Sequence, residues 1–314
     1  MPCEVMRVTD PKSTARIELK TWLQFARPFS FSAAYAPVVI GSTLAYTVRF
    51  TQFRVLLFLA MLGASVMIQA ATNLFNEYYD FKRGLDSPES VGIGGALTQY
   101  KVQPGKIMAA ALGLCFVSLL LGVYICLRTS WWVAAVGGVC MVVGYLYTGG
   151  PMPIAYTPLG EILSGFFMGS VIVGVSYFIQ THSMTLHVFL ASLPTTLFIA
   201  NILLTNNIRD LDEDTAGGRK TLAILLGRRK AIVAQAVIFG LGYAVLLALP
   251  PLGVASYWSW LALLSAVNAY AAVKGLINKR TAPEMMPAMG AVVRNNRHFG
   301  LLLALGVFFG TLSR

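Results

Sequence analysis

Long runs without a charged side chain alternate with short charged segments along this chain. A helix needs about 20 apolar residues to cross the hydrocarbon of a bilayer, and two of the runs, 162–208 and 231–273, are long enough for two helices each. Turn-forming residues near 180–187 and at Pro250 and Pro251 divide them. The pattern predicts nine transmembrane helices, at 31–48, 55–76, 107–127, 131–148, 159–180, 187–208, 231–249, 256–274 and 286–312.

Composition supports the same fold class. Of the 314 residues, 56% are hydrophobic and 12% are charged, and the charged fraction is about half that of a soluble domain. The four cysteines form no C-x-x-C pair, so neither a zinc site nor a disulfide scaffold is indicated. We therefore expect an all-α membrane protein, with residues 1–27 as a cytoplasmic tail and residues 28–314 as one transmembrane domain.

Lysine and arginine predict the orientation. Eighteen of the 24 fall in the tail and in loops on the N-terminal side of the predicted bundle, and four fall on the opposite side. By the positive-inside tendency the N-terminus is cytoplasmic, and nine crossings place the C-terminus outside a cell membrane. These loops and the anionic leaflet beside them account for the net charge of +11, so no nucleic-acid partner is predicted.

The acidic residues are concentrated at two places. Eight of the thirteen lie at the predicted cytoplasmic ends of the second and sixth helices. Ionisable groups near membrane depth are costly and usually functional. The first group contains Glu77, Asp80, Asp86 and Glu89, and the second contains Asp210, Asp212, Glu213 and Asp214.

Each acidic group also presents one helix face. Asn73, Asn76 and Asp80 are spaced i, i+3, i+7, and the set Asn206, Asp210, Asp214 is spaced i, i+4, i+8. The second predicted helix precedes the sixth by four spans. This spacing predicts two pseudo-repeated four-helix halves plus a final helix, with both acidic faces turned to one cavity.

Clustered carboxylates repel one another unless a cation lies between them. Aspartate and asparagine oxygens without histidine or cysteine favour Mg²⁺, which proteins commonly hold together with substrate phosphates. Basic residues that could contact those phosphates follow or interleave the acids; they are Lys82, Arg83, Arg209, Arg219 and Lys220. The competing interpretation is that both groups are ordinary solvated helix ends.

At these residues the chain resembles the UbiA superfamily of intramembrane prenyltransferases. N-L-F-N-E-Y-Y-D-F-K-R-G-L-D at 73–86 is similar to the family motif N-x-x-x-D-x-x-x-D, and N-N-I-R-D-L-D-E-D at 206–214 is similar to D-x-x-x-D. The last Asp of the first motif would fall at Gly84, whereas this chain has Asp86. That displacement, with G-G-R-K-T-L-A at 217–223, resembles the 1,4-dihydroxy-2-naphthoate polyprenyltransferase branch.

The resemblance implies Mg²⁺-dependent transfer of a polyprenyl group from its diphosphate to 1,4-dihydroxy-2-naphthoate, with loss of CO₂. Asp80, Asp210, Tyr145 and Tyr147 are the expected catalytic residues, although the tyrosines could equally anchor the chain at the membrane interface. The expected metal ligands are Asn76, Asp80, Asp86, Asp210 and Asp214. The expected diphosphate-binding residues are Asn73, Lys82, Arg83, Asn206, Arg209 and Lys220.

Two questions stay open from the sequence. A basic side chain should hold the carboxylate of the acceptor, and the candidates are Arg27, Lys101, Lys106, Arg294 and Arg297. The acceptor itself could also be homogentisate, 4-hydroxybenzoate, haem, a chlorophyll precursor or a lipid. An ion-coupled secondary transporter is a further alternative, but transporter sites lie near the membrane midplane, whereas these acids are predicted at one face.

Overall fold

The computed structural model describes residues 19–48, 52–84 and 102–313, and within these ranges the chain is helical with no β-strand. Three 3-10 segments, Pro28–Phe31, Ile154–Tyr156 and Tyr257–Ser265, connect or extend the helices. The helices are α1 Leu19–Ala26, α2 Ser32–Val48, α3 Val55–Lys82, α4 Pro104–Arg128, α5 Trp132–Leu146, α6 Gly160–Thr181, α7 Leu186–Arg209, α8 Leu211–Ala216, α9 Leu222–Leu226, α10 Arg228–Ala248, α11 Ala266–Lys274 and α12 Ala282–Leu312.

Helical segments occupy the predicted span positions throughout the described ranges. Six of them are long and apolar enough to cross a membrane: Pro28–Val48, Val55–Lys82, Pro104–Arg128, Gly160–Thr181, Leu186–Arg209 and Arg228–Ala248. The remaining helices are less regular, because α5 is short, a 3-10 segment precedes α11, and α12 carries four polar residues at 294–297. Six candidate spans are therefore present, and the count of nine stays a prediction.

Small residues allow the central helices to approach closely. A side chain at Gly41 of α2 would collide with the carbonyl oxygen of Val173 in α6, and one at Gly300 of α12 would collide with Ala36 of α2. Association of helices in a membrane depends on such close packing, because lipid is as apolar as the helix surface. Glycine at these positions thus brings α2, α6 and α12 into one bundle.

Two buried clusters hold the bundle together. Phe198 of α7 is fully buried, and its ring packs edge-to-face on Phe299 of α12 at a centroid distance of 4.7 Å. In the second cluster, Phe25 of α1 packs with Leu74 of α3 and Ile107 of α4. The end of the predicted tail, residues 19–26, is therefore a helix fixed to the bundle.

Candidate active site

A cavity of about 580 Å³ lies between α2, the 3-10 segment before it, and helices α3 to α7. On α3 its wall extends from Met61 to Asp80, about 28 Å at 1.5 Å of helix rise per residue. That length is close to the hydrocarbon thickness of a bilayer, about 30 Å. Most of the wall is apolar, and its members include Met61, Ile68, Val123, Val136, Met141, Phe167, Met168 and Val175.

The local structure of α6 contributes to the apolar wall. Phe166–Val171 forms a π-helical segment within α6, and a side chain at Gly169 would collide with the backbone of Thr196 in α7. The hydroxyl of Ser170 also lies 2.8 Å from that of Thr196. A π segment shifts the face that a helix presents, and here Phe167 and Met168 line the cavity.

The acidic face of α3 forms part of one end of this cavity. Asn73, Asn76 and Asp80 all line it, and their spacing on a single uninterrupted helix explains why they share one face. The hydroxyl of Thr148 donates a hydrogen bond of 2.9 Å to Oδ1 of Asn76. The bond fixes the Asn76 amide with its oxygen beside the cavity wall.

The second acidic face lies opposite, although the helix that carries it is interrupted. α7 ends at Arg209, and Asp210 connects it to α8. The amide N–H of Asp210 donates to the carbonyl of Asn206 at 2.9 Å, and that of Asp214 donates to Asp210 at 2.8 Å. These turns keep Asn206, Asp210 and Asp214 on one side, and all three line the cavity.

Arg219 joins the two acidic faces. Its Nη2 donates to Oδ1 of Asp80 at 2.9 Å, and its Nη1 donates to Oδ1 of Asp214 at 2.9 Å. The guanidinium also lies 5.3 Å from the centre of the Tyr156 ring. The two acidic motifs, which are distant in sequence, therefore meet at the same end of the cavity.

The carboxyl of Asp214 is affected by this environment. Burial raises the pKa of Asp214 to about 6, while the Arg219 guanidinium acts in the opposite direction. Its second oxygen, Oδ2, is buried and has no hydrogen-bond partner among the described residues. An additional cation at this oxygen would therefore be stabilised.

A second arginine lines the same end. Arg209 forms a two-point ion pair with Asp210, Nε to Oδ1 and Nη2 to Oδ2, each at 2.6 Å. Such planar pairs are strong and directional. Arg209 and Arg219 both line the cavity, so two guanidinium groups lie next to the carboxylates at its acidic end.

Other residues predicted for the site lie outside the cavity wall. Lys82 and Lys220 are exposed, and Arg83 donates to the carbonyl of Gly150 at 3.3 Å. The hydroxyl of Tyr145 lies 2.8 Å from that of Tyr79, and Tyr145 is 40% exposed. The predicted roles of Lys82, Lys220 and Tyr145 thus have no support from position, whereas the Arg83 guanidinium lies 5.4 Å from the centre of the Tyr156 ring, which Arg219 also contacts.

Tyr147 lines the cavity, and Asp86 lies outside the described residues. Of the two predicted tyrosines, Tyr147 is the one whose position in the cavity wall agrees with the predicted role.

Two buried acids were not predicted as parts of the site. Glu161 is 2% exposed and accepts a hydrogen bond of 2.8 Å from Nδ2 of Asn207, a residue of the cavity wall. Glu77 has a fully buried side chain and forms an ion pair with Arg27 at 3.0 Å. The sequence signal for Glu161 is its position as the one acid between two charge-free runs, 129–160 and 162–208.

The donor atoms at the acidic end are oxygens, the chemical type that a hard divalent cation binds. Asn76, Asp80, Asp210 and Asp214 offer only oxygen ligands, the type that Mg²⁺ prefers. No three His, Cys, Asp or Glu side chains within 19–48, 52–84 and 102–313 are grouped closely enough to hold a metal ion. Instead Arg219 lies between Asp80 and Asp214 and forms an ion pair with each. Its positive charge therefore compensates these two carboxylates.

Comparison with known proteins agrees with this geometry. The chain is 47% identical to 1,4-dihydroxy-2-naphthoate octaprenyltransferase of Bacillus subtilis over 90% of its length and 91% of the relative's. It is 29% identical to the protein of that name from Escherichia coli, over 92% and 95% of the two chains.

Solved structures share the fold at low identity. A UbiA homolog from Aeropyrum pernix matches with a TM-score of 0.65 at 17% identity, over 90% of this chain and 98% of the other. A UbiA homolog from Archaeoglobus fulgidus, bound to DMAPP and Mg²⁺, matches with a TM-score of 0.58 at 12% identity, over 93% and 99%. Residues 34–289 match the UbiA prenyltransferase family, and the chain belongs to that family.

Proposed function

We propose that this protein is an integral membrane enzyme that transfers a polyprenyl group from its diphosphate to 1,4-dihydroxy-2-naphthoate, with loss of CO₂. The observation that carries the proposal is the meeting of two acidic motifs at one end of an apolar cavity. The name of the relative with 47% identity supports the naphthoate acceptor. The product would be a demethylmenaquinone-type quinone precursor.

The polar end would receive the diphosphate. Asn76, Asp80, Asp210 and Asp214 would hold Mg²⁺, with Asp86 as a further predicted ligand outside the described residues. Bound there, Mg²⁺ would act as a Lewis acid toward the diphosphate oxygens. Arg209, Arg219 and Asn206 line the same part of the cavity, and these side chains would donate hydrogen bonds to the diphosphate oxygens.

The rest of the cavity would hold the polyprenyl chain and exclude water. On α3 this part of the wall extends from Met61 to Thr72, before the acidic face begins, over about 16 Å of helix rise, so a few isoprene units can lie beside it. When the diphosphate leaves, positive charge develops on the allylic carbon, and a dry cavity keeps water from reacting with it. The ring of Tyr147 lines the wall near this end, and an aromatic face stabilises such a charge.

The membrane arrangement follows from the charge distribution. We propose nine crossings of the cell membrane with the N-terminus and the acidic end cytoplasmic, because lysine and arginine are concentrated in the loops on that side. Outward-facing apolar side chains such as Leu112, Phe116 and Leu120 on α4 are well exposed, as expected for a surface in contact with lipid. Residues 28–314 would form a single domain.

The test is an assay of the purified protein with one polyprenyl diphosphate and a panel of acceptors. Only 1,4-dihydroxy-2-naphthoate should release CO₂ and yield a prenylated naphthalene product. Asp80→Ala and Asp210→Ala should each abolish Mg²⁺-dependent transfer. The matched control is Asp212→Ala, because Asp212 belongs to the same acidic group but is exposed and paired with Arg228.

Several results would contradict the proposal. Transfer to a different acceptor would show another activity of the family. Full turnover in both Asp80→Ala and Asp210→Ala would reject the assignment of the acidic end as the reaction site. Diphosphate-independent, ion-driven uptake of a solute into proteoliposomes would instead support the transporter.

A further inference from the structure

Arg27 occupies an unusual backbone position beside the cavity. It connects α1 to the 3-10 segment Pro28–Phe31 with φ 52° and ψ 62°, a left-handed conformation that side-chain-bearing residues seldom adopt. Nδ2 of Asn73 donates to the carbonyl of Ala26 at 2.7 Å and to Oγ of Ser30 at 3.0 Å. Oγ of Ser30 in turn donates to the carbonyl of Arg27 at 2.8 Å. This network fixes the Arg27 elbow, residues 26–30, against α3.

The Arg27 side chain is itself held in place and yet incompletely paired. Its Nη2 donates to Oε2 of Glu77 at 3.0 Å, and the Glu77 carboxylate is fully buried. Its Nε is also buried, and it finds no hydrogen-bond acceptor in the described part of the chain. A buried donor without an acceptor is costly and calls for an explanation. Because Arg27 lines the cavity, a ligand oxygen could supply that acceptor.

The other candidate cations for an acceptor carboxylate are placed differently. Lys106, Arg294 and Arg297 are exposed and lie outside the cavity wall, and Lys101 is outside the described residues. Arg209 and Arg219 do line the cavity, but they are paired with carboxylates at the acidic end. Of the five candidates from the sequence, Arg27 is therefore the one whose position within the described ranges suits a ligand in the cavity.

The distance from the acidic end is also appropriate. Glu77, which holds the Arg27 guanidinium, precedes Asp80 by three residues on α3, about 4.5 Å of helix rise. A guanidinium at that depth lies about one helical turn from the diphosphate end. An aromatic acid bound there through its carboxylate would have its ring near the carbon that loses the diphosphate.

We propose that Arg27 binds the carboxylate of the aromatic acceptor, with Glu77 fixing the plane of its guanidinium and the Arg27 elbow fixing its backbone. This inference rests on the proposed function, because it requires an acceptor that carries a carboxylate. The Arg27–Glu77 pair is neutral as a whole, so recognition comes from directed, charge-assisted hydrogen bonds. Arg27 is thus a binding residue that distinguishes an aromatic acid from the same ring without its acid group.

The experiment compares two ligands that differ only in the carboxylate. For wild type and Arg27→Gln, the KM for 1,4-dihydroxy-2-naphthoate and the inhibition constant of 1,4-dihydroxynaphthalene are measured. In Arg27→Gln the KM for the naphthoate should rise about tenfold to a hundredfold, the range for loss of a charged hydrogen bond. The inhibition constant of the diol and the KM for the prenyl diphosphate should change less than twofold.

Two further variants separate recognition from folding. Arg27→Gln removes the arginine from its ion pair with the buried Glu77 carboxylate, so the double variant Arg27→Gln/Glu77→Gln replaces the ion pair by neutral amides and should show the same selective loss. Arg294→Gln is the matched control, because it removes an arginine that lies outside the cavity wall, and it should match wild type.

The outcomes are distinguishable. Equal losses for the naphthoate and the diol in both Arg27 variants would mean that Arg27 only supports the structure, and unchanged discrimination would mean that it does not bind the carboxylate. Either result overturns this inference while leaving the proposed function intact, provided that wild type prenylates the naphthoate. Failure of wild type to do so overturns the proposed function itself.

Discussion

The acidic motif on α3 lies on one continuous helix, whereas the motif at the end of α7 is divided by a break at Asp210. The break allows the chain after α7 to turn back toward the cavity, and Arg219 follows in that returning segment. No such returning segment follows the α3 motif within the described residues, since α3 ends at Lys82 and the description stops at residue 84. Similar residue types at similar spacing therefore occur in two different local structures.

The two motifs also differ in their cations. Asp210 pairs with Arg209 and Asp214 pairs with Arg219, so the second motif is neutralised by its own neighbours in sequence. Asp80 in the first motif is neutralised by the same Arg219, while Arg83 contacts Gly150 instead. Within the described ranges, the two arginines that pair with the aspartates of the acidic end thus come from the second motif, and the first motif presents carboxylate and amide oxygens there.

The strongest test of this difference removes Arg219. Arg219→Gln leaves Asp80 and Asp214 without the cation that they share and removes the proposed donor to the leaving diphosphate, so we expect kcat to fall on the order of 100- to 1000-fold. Arg83→Gln should lower kcat less than about tenfold, because Arg83 lies outside the cavity wall. Initial rates of both purified variants at saturating Mg²⁺ measure the contrast. An equal fall in kcat in the two variants would mean that an arginine of the first motif also acts in the reaction.

The pH dependence of Mg²⁺ binding tests the role of Asp214, a residue of the second motif. A carboxyl must lose its proton before it binds a metal ion, and burial raises the pKa of Asp214 to about 6. Below that pH the apparent Mg²⁺ affinity should therefore fall by about tenfold per unit, and above it the affinity should level off. Mg²⁺ titrations of transfer rate between pH 5 and 8 measure the effect.

The control for this titration is Asp214→Asn, which removes the ionisable group at that position and keeps its size. Its Mg²⁺ affinity should be weaker than wild type at pH 8, and the component of the pH dependence with a midpoint near 6 should be absent. If the midpoint persists in the variant, another group is responsible for it.

The helices of this fold could be predicted well from the sequence because each depends on local composition. Charge-free runs of about 20 residues have few alternatives to a membrane helix, and most helical segments at the predicted positions begin and end within four residues of the predicted bounds. The exceptions are α3, which continues to Lys82, and the short helices α1, α8 and α9, which were not predicted. The two acidic faces were predictable for a similar reason, since helical spacing determines which side chains share a face.

The pairing of charges could not be predicted in the same way. Glu77 lies in the first acidic group, yet it turns away from Asp80 to pair with Arg27, a residue 50 positions earlier. Arg219 was one of five flanking bases in the sequence, and only the path of the chain after Asp210 brings it between Asp80 and Asp214. Which charged residues pair depends on which helices pack together and on how far each charge is removed from solvent. Spacing along the sequence does not encode either.

The smallest expected effect concerns the flanking lysines. Lys82 lies within the first acidic group and Lys220 follows the second, and both were predicted to bind diphosphate, but both are exposed outside the cavity wall. Exposed charges interact weakly across screening solvent, so Lys82→Gln and Lys220→Gln should each change the KM for the prenyl diphosphate less than twofold at physiological salt. A tenfold rise in either variant would show that the lysine reaches the bound diphosphate, and the cations would then come from both motifs rather than from the second alone.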